Sequence, residues 1–189
     1  EKLMPFLHLP IQSGSDKILT LMNRKHTVEE YLKIYKKLKE INHNIEFSSD
    51  FIIGYPEESD QDFKDTMELI QKINFISSYS FIFSPRPGTT AASLELVDKI
   101  KSKERLEIIQ KKLSERQIQR NESLVSTTVN VLVENKMKDG TKLFGRTEHM
   151  TSVIFDGHSE NIGKIVPVEI ISSNQNSLFG KLKEDFKQK

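Results

Sequence analysis

Apolar residues along this chain recur with two periods, and the switches between them mark out the elements. A Thr27-Val28-Glu29-Glu30 capping box precedes Tyr31, Ile34, Tyr35, Leu38 and Ile41, a helical face that predicts a helix over 28–41. Residues 47–53 are aromatic and β-branched and end at Gly54 and Pro56, the pattern of a buried strand. Ser59 and Asp62 open a second helix with Phe63, Met67, Ile70 and Ile73 on its inner face. Residues 79–83 form a third strand, closed by Ser84-Pro85-Arg86-Pro87-Gly88, and residues 7–11 behave as an earlier interior strand. Strands separated by helices predict right-handed crossovers and a parallel sheet, so this region reads as α/β.

A long helix follows over 102–124, with Leu106, Ile109, Leu113 and Ile118 inward and Lys103, Lys111, Lys112, Arg116 and Arg120 outward. Beyond Val125 the period becomes that of strands, at 128–134, 143–147, 152–155, 164–172 and 177–183. Turns at Lys138-Asp139-Gly140, Asp156-Gly157 and Ser173-Asn174 separate them. Five short strands predict a small antiparallel barrel, so the chain is α/β and then all-β. The expected divisions are an α/β region over 1–98, a linking helix over 99–124 and a barrel over 125–187.

Charge adds one asymmetry. The net +1 combines −4 over residues 1–98, +4 over 99–124 and +1 over 125–189, so the basic excess lies on the helix. That excess fits either a solvated lysine-rich face or a polyanionic partner. Cysteine is absent, which excludes disulfides, thiolate nucleophiles and cysteine-ligated zinc or iron-sulfur sites within these residues. No run of about 20 apolar residues exists, and none of the five histidines has metal-ligand spacing, so no membrane span and no metal site is expected and a cytoplasmic setting fits.

The chemistry-bearing residues collect at the three strand ends, where α/β enzymes place their sites. These read His8-Leu9-Pro10-Ile11-Gln12-Ser13-Gly14-Ser15, then Ser49-Asp50-Phe51-Ile52-Ile53-Gly54-Tyr55-Pro56-Glu57, then Phe83-Ser84-Pro85-Arg86-Pro87-Gly88-Thr89. With Met22-Asn23-Arg24 and Tyr79-Ser80-Phe81, they resemble the radical S-adenosylmethionine methylthiotransferases, and the tRNA-modifying branch in particular. The terminal stretches Gly145-Arg146-Thr147, Val153-Ile154-Phe155 and Asn176-Ser177-Leu178-Phe179-Gly180-Lys181-Leu182 resemble that family's TRAM domain, an RNA-binding barrel like the oligonucleotide/oligosaccharide-binding fold.

The resemblance implies that residues 1–98 are the last three βα units of a six-stranded (β/α) barrel. It implies a 2-methylthio group added by radical chemistry to isopentenyladenosine beside a tRNA anticodon, with S-adenosylmethionine and two four-iron four-sulfur clusters as cofactors. The family's cluster-binding C-x3-C-x2-C loop lies outside these residues, so an N-terminal portion is the expected partner, alongside the tRNA anticodon stem-loop. This chain alone is expected to be inactive, with no catalytic or metal residue of its own.

Gln12, Ser13, Ser15, Asp50, Ile52, Gly54, Phe83 and Ser84 fall where the family contacts its cofactor. From the residues alone, Ser13 and Ser15 fit either ribose and methionine contacts or a turn that caps the next helix. Ile52 is the expected apolar contact to adenine, within a looser G-x-I-x-G-x-x-E pattern that runs through Gly54 to Glu57. His8 reads as core or as part of a polar layer, and Glu57 and Glu58 as a solvated helix start. Arg86 fits an RNA phosphate or the cofactor carboxylate. In the barrel, Arg146, Lys164 and Lys181 are candidates for phosphates, and Phe179 or His149 for base stacking. Two rival readings stay open: a stand-alone RNA-binding module without catalysis, and a related methylthiotransferase acting on threonylcarbamoyladenosine or a ribosomal protein.

Overall fold

Local signals and long-range packing agree through most of the first region. The computed structural model describes residues 3–137, 140 and 142–183. In it β1 (Phe6–His8) leads through α1 (Asp16–Leu21) and α2 (Val28–Ile41) to β2 (Glu46–Ile53), and then through α3 (Asp60–Lys72) to β3 (Phe75–Ile82). Reciprocal caps start both longer helices. Glu30 N–H donates to Thr27 Oγ1 while Thr27 N–H donates to the Glu30 carboxylate, and Ser59 and Asp62 repeat the exchange at α3. Each cap contributes about 1 kcal/mol.

The three strands pair in the order β1, β2, β3, and β2 and β3 run parallel. The first strand is shorter than expected, because Pro10 breaks the ladder after His8. Pairing resumes at Gln12, whose N–H donates to Asp50 O (3.0 Å) and whose carbonyl accepts from Ile52 N–H (3.0 Å). The third strand starts four residues earlier than its pattern suggests. The register shifts between Phe47 and Ser48, opposite Phe75 to Ser77, and this irregularity lets consecutive Phe75 and Ile76 both be buried. Phe75 then meets Phe51 edge to face, with centroids 5.6 Å apart, and Phe47 packs on Tyr35. Ile11, Leu19, Leu69, Ile70 and Ile73 complete this core.

The long helix α4 (Lys99–Glu122) begins earlier than expected and is more than a solvated basic rod. Ile109 and Leu113 are buried as expected, the same face also buries Ser102 and Arg105, and Asn121 is buried near the helix end. Two compact units result, one of residues 7–114 and a second that includes residues 115–183.

The second unit holds β4 (Thr128–Lys136), β5 (Leu143–Thr147), β6 (Ser152–Asp156), β7 (Ile165–Ser173) and β8 (Ser177–Leu182). They close into a barrel in the order β4, β5, β6, β8, β7. The barrel is mixed, not wholly antiparallel as expected, because β8 inserts beside β6 in the parallel sense, Ser152 opposite Ser177 through Asp156 opposite Lys181. Inward Val131, Val133, Val153, Phe155, Val166, Val168, Ile170 and Leu178 fill it. Asn121 ties the end of α4 to this unit, its side-chain amide donating to the carbonyls of Asn174 (2.9 Å) and Gln175 (3.0 Å). Of the expected turn at Lys138-Asp139-Gly140, the first two residues lie outside the described residues, as do positions 184–187 of the expected barrel region.

Five non-glycine residues among those described, Gln12, Asn23, Glu57, Ser126 and Met150, adopt positive φ, and Glu57 is the one just ahead of α3. Glu57 sits at φ 66° between Pro56 and Glu58, a region that costs an L-residue about 1–2 kcal/mol. Glu57→Gly is expected to stabilise the protein by about 0.5–1 kcal/mol after glycine's extra chain entropy is subtracted. A thermal midpoint that rises by ~2 °C checks it, and an unchanged or lower midpoint contradicts it.

Candidate functional site

The strand ends of the α/β unit surround a cleft of about 900 Å³. Gln12, Asp50 and Ile52 form one side, Phe83, Ser84 and Arg86 another, and Leu21 to Arg24 with Tyr55 a third. Gln12 reaches it from a left-handed backbone conformation (φ 77°), held by its two bonds to β2. A strained, well-tied residue of this kind is characteristic of a ligand-facing position. Tyr55 is fixed twice: its hydroxyl donates to Leu21 O (2.9 Å), and its ring meets Phe83 at 4.7 Å.

Asp50 projects from the pleat of β2 beside His8. The imidazole bridges two strands, with Nδ1 2.7 Å from Ser48 Oγ and Nε2 3.4 Å from Asp50 Oδ2. His8 therefore belongs to a polar layer on the sheet and not to the core.

Of the eight expected cofactor contacts, Gln12, Asp50, Ile52, Phe83 and Ser84 line the cleft. Ser13, Ser15 and Gly54 do not; they sit buried behind its rim. Ser13 Oγ lies 3.3 Å from Thr66 Oγ1 and accepts the Ser15 N–H, while Ser15 caps α1 and donates to Asp62 Oδ1 at 2.6 Å. Asp62 also accepts from the Ser59 hydroxyl (2.6 Å) and amide (2.8 Å), with Lys17 at 3.4 Å. Burial opposes its charge, but the Ser15 and Ser59 hydrogen bonds and Lys17 outweigh that and hold its pKa down at about 2.

A carboxyl lowered from 3.8 to about 2 adds stability that is present above pH 3.8 and is lost as pH falls towards 2. Asp62→Asn is expected to remove about 2 kcal/mol of that acid-limb dependence, read from urea midpoints between pH 5 and pH 2. An unchanged slope contradicts it.

Residues 2–70 match the family model described as the Radical SAM superfamily, and residues 122–183 the one described as the TRAM domain. Over these stretches the chain is similar to the radical SAM superfamily and to the TRAM domain respectively. Over 188 residues it is 74% identical to the tRNA-2-methylthio-N(6)-dimethylallyladenosine synthase of Pelagibacter ubique (strain HTCC1062), covering all of this chain and 42% of that protein. Proteins of the same name from Yersinia pestis (strain Pestoides F) and Wolbachia pipientis wMel are 48% and 45% identical, each across 95% of this chain and 38% and 42% of their own length. The chain thus spans about two fifths of these relatives and corresponds to their C-terminal portion.

In the segment that matches the radical SAM model, the sequence pattern missed Tyr55 as a wall of the cleft. It also misread Glu58. That carboxylate is buried against Arg105 (2.7 Å) and is not part of a solvated helix start. Burial pushes the Glu58 carboxyl up, against the Gly54 N–H and Arg105, which favour its charge. The nearest sequence signal was Met22-Asn23-Arg24, whose Asn23 adopts φ 58° and joins the cleft wall.

In the barrel that matches the TRAM model, alternation along the strands puts Arg146, Phe179 and Lys181 on the face opposite the core. Phe144, Ile154 and Phe179 stand in register across β5, β6 and β8, each half-buried. Arg146 lies over the Phe144 ring (5.8 Å) and 3.8 Å from Glu134, Lys181 lies 3.5 Å from Glu169, and Lys164 is exposed just before β7. Phe155 is core. Among the described residues no helix is long and apolar enough to cross a membrane, and no group of His, Asp or Glu could hold a metal ion.

Proposed function

We propose that this chain is the cofactor-wall and RNA-binding portion of a tRNA methylthiotransferase, which adds a 2-methylthio group to isopentenyladenosine beside the anticodon. The observation that carries this reading is the cleft, which gathers Gln12, Asp50, Ile52, Phe83, Ser84 and Arg86 from three strand ends. Its donor set suits S-adenosylmethionine. Gln12 and Ser84 offer neutral hydrogen-bonding groups to ribose hydroxyls, Ile52 and the Tyr55 and Phe83 rings offer apolar surface to adenine, and Asp50, steadied by His8, offers an acceptor. Ser13, Ser15 and Gly54 act from behind, by fixing the backbone of the rim.

When bound, S-adenosylmethionine and an iron-sulfur cluster supply the radical chemistry. With no cysteine in 189 residues, this chain offers no thiolate to a cluster, and its own work is to bind and orient. Arg86 at the cleft mouth and Arg146, Lys164 and Lys181 on the barrel contact phosphates, with Phe179 stacking on a base. The remaining cofactor ligands belong to an N-terminal portion, and the setting is the cytoplasm.

Deleting the gene that encodes this chain and measuring the nucleosides of tRNA by mass spectrometry tests the reading. The 2-methylthio-isopentenyladenosine signal should disappear, and a plasmid copy should restore it. An unchanged nucleoside profile refutes it, and loss of a different methylthiolated adenosine moves the substrate to the related branch.

A further inference from the structure

The turn behind the cleft is held by a charged clamp. Arg105 on α4 is 3% exposed and Glu58 5% exposed, so both are withdrawn from water. One guanidinium nitrogen of Arg105 donates to Glu58 Oε2 (2.7 Å) and to the Glu58 carbonyl (3.0 Å), while the other donates to Asp60 Oδ1 (2.7 Å). The guanidinium also lies over the Phe63 ring at 5.4 Å, and Lys101 reaches Asp60 from outside at 2.7 Å.

Glu58 passes this hold to the cleft. Its Oε2 also accepts the Gly54 N–H (3.0 Å), so a single carboxylate oxygen ties Arg105 to the residue that precedes Tyr55. Gly54 adopts φ 70°, and a Cβ there would lie 2.4 Å from Ser102 Oγ, so the helix also packs directly on the turn. The next residue, Tyr55, lines the cleft and carries the contacts to Leu21 and Phe83. A planar guanidinium suits this task because it binds the carboxylate, the carbonyl and Asp60 in one rigid fork, which an ammonium cannot do.

We propose that Arg105 is a positioning residue for ligand binding: through Glu58 it fixes the Gly54-Tyr55 turn and so the aromatic wall of the cleft. The inference rests on the reading that the cleft takes S-adenosylmethionine. It concerns a residue that does not itself line the cleft.

Arg105→Lys in the natural full-length protein tests it, with two readouts taken on protein shown by circular dichroism to be folded. Affinity for S-adenosylmethionine by calorimetric titration should fall about tenfold, and hydrogen exchange at the Gly54 amide should quicken by a similar factor. Asp60→Asn, which keeps an acceptor and removes only the charge of the exposed outer partner, should leave both within twofold. Should Arg105→Lys fail to fold, Glu58→Gln carries the same test, since it keeps an acceptor for Gly54 but weakens the ionic hold.

A folded variant with both readouts unchanged overturns the proposal. So does weakened affinity with an unchanged Gly54 amide, because Arg105 would then act by another route. If the unaltered protein binds no S-adenosylmethionine while Gly54 exchange still quickens in the variant, the positioning role stands and the cofactor reading falls.

Discussion

Arg105→Met should destabilise the α/β unit by about 3–5 kcal/mol, the largest loss expected from any single side chain outside the apolar core. The cause is what remains behind. Glu58 would keep a carboxylate withdrawn from water with only the Gly54 N–H to accept, and Asp60 would lose its contact with Arg105. Intact, the pair is not a large net source of stability, because removing two ions from water offsets most of their attraction. The double variant Arg105→Met, Glu58→Leu should therefore recover most of the loss and yet keep the binding defect that follows from a loosened Gly54 turn. Urea midpoints of the two variants decide it. A single variant within about 1 kcal/mol of the parent would show that water or a neighbour rescues Glu58.

Gly14→Ala should cost about 3 kcal/mol, at the upper end for one added methyl group. A Cβ at this position would stand 2.5 Å from Thr66 Cα and 2.6 Å from Asp65 O, so the obstacle is the backbone of α3 and not a side chain that could turn aside. The Gly14 N–H also donates to Thr66 Oγ1 (2.9 Å), which draws the loop against the helix. Relief requires moving either α3 or the loop that carries Gln12, so ligand affinity should fall along with stability. Gly88→Ala is the comparison: its Cβ would meet nothing within 4 Å, so only the unfavourable φ of 81° is felt, at about 1 kcal/mol. Equal midpoint shifts for the two variants would contradict the steric argument.

The parts of this fold that were legible in the sequence are those fixed by neighbours along the chain. A capping box with helical spacing set α2 at Val28–Ile41, and the change of period located every barrel strand to within two residues. What escaped depends on partners far away. The start of β3 was hidden because Ser77 and Ser78 interrupt its apolar pattern, while the irregular register that buries Phe75 and Ile76 exists only opposite β2. The parallel pairing of β8 with β6 leaves no mark on either strand alone. Arg105 reads as one more cation on a basic helix, and only Glu58 and Asp60, 47 and 45 positions away, make burying it tolerable. The candidate site divides in the same way. Gln12, Asp50, Ile52, Phe83 and Ser84 come to the cleft because strand ends converge, whereas Ser13 and Ser15 are turned away by α3, which no motif announces.

The place of β8 in the barrel bears on how the protein is made. This strand is the last of the five to leave the ribosome, yet it fills the gap between β6 and β7. Until residue 182 clears the exit tunnel, both of those strands keep an edge of unpaired amides and carbonyls, and the Val153 and Ile170 side of the interior stays uncovered. Strands β4 to β7 can pair with one another as they emerge, but the barrel closes only when residues 177–182 seat between β6 and β7.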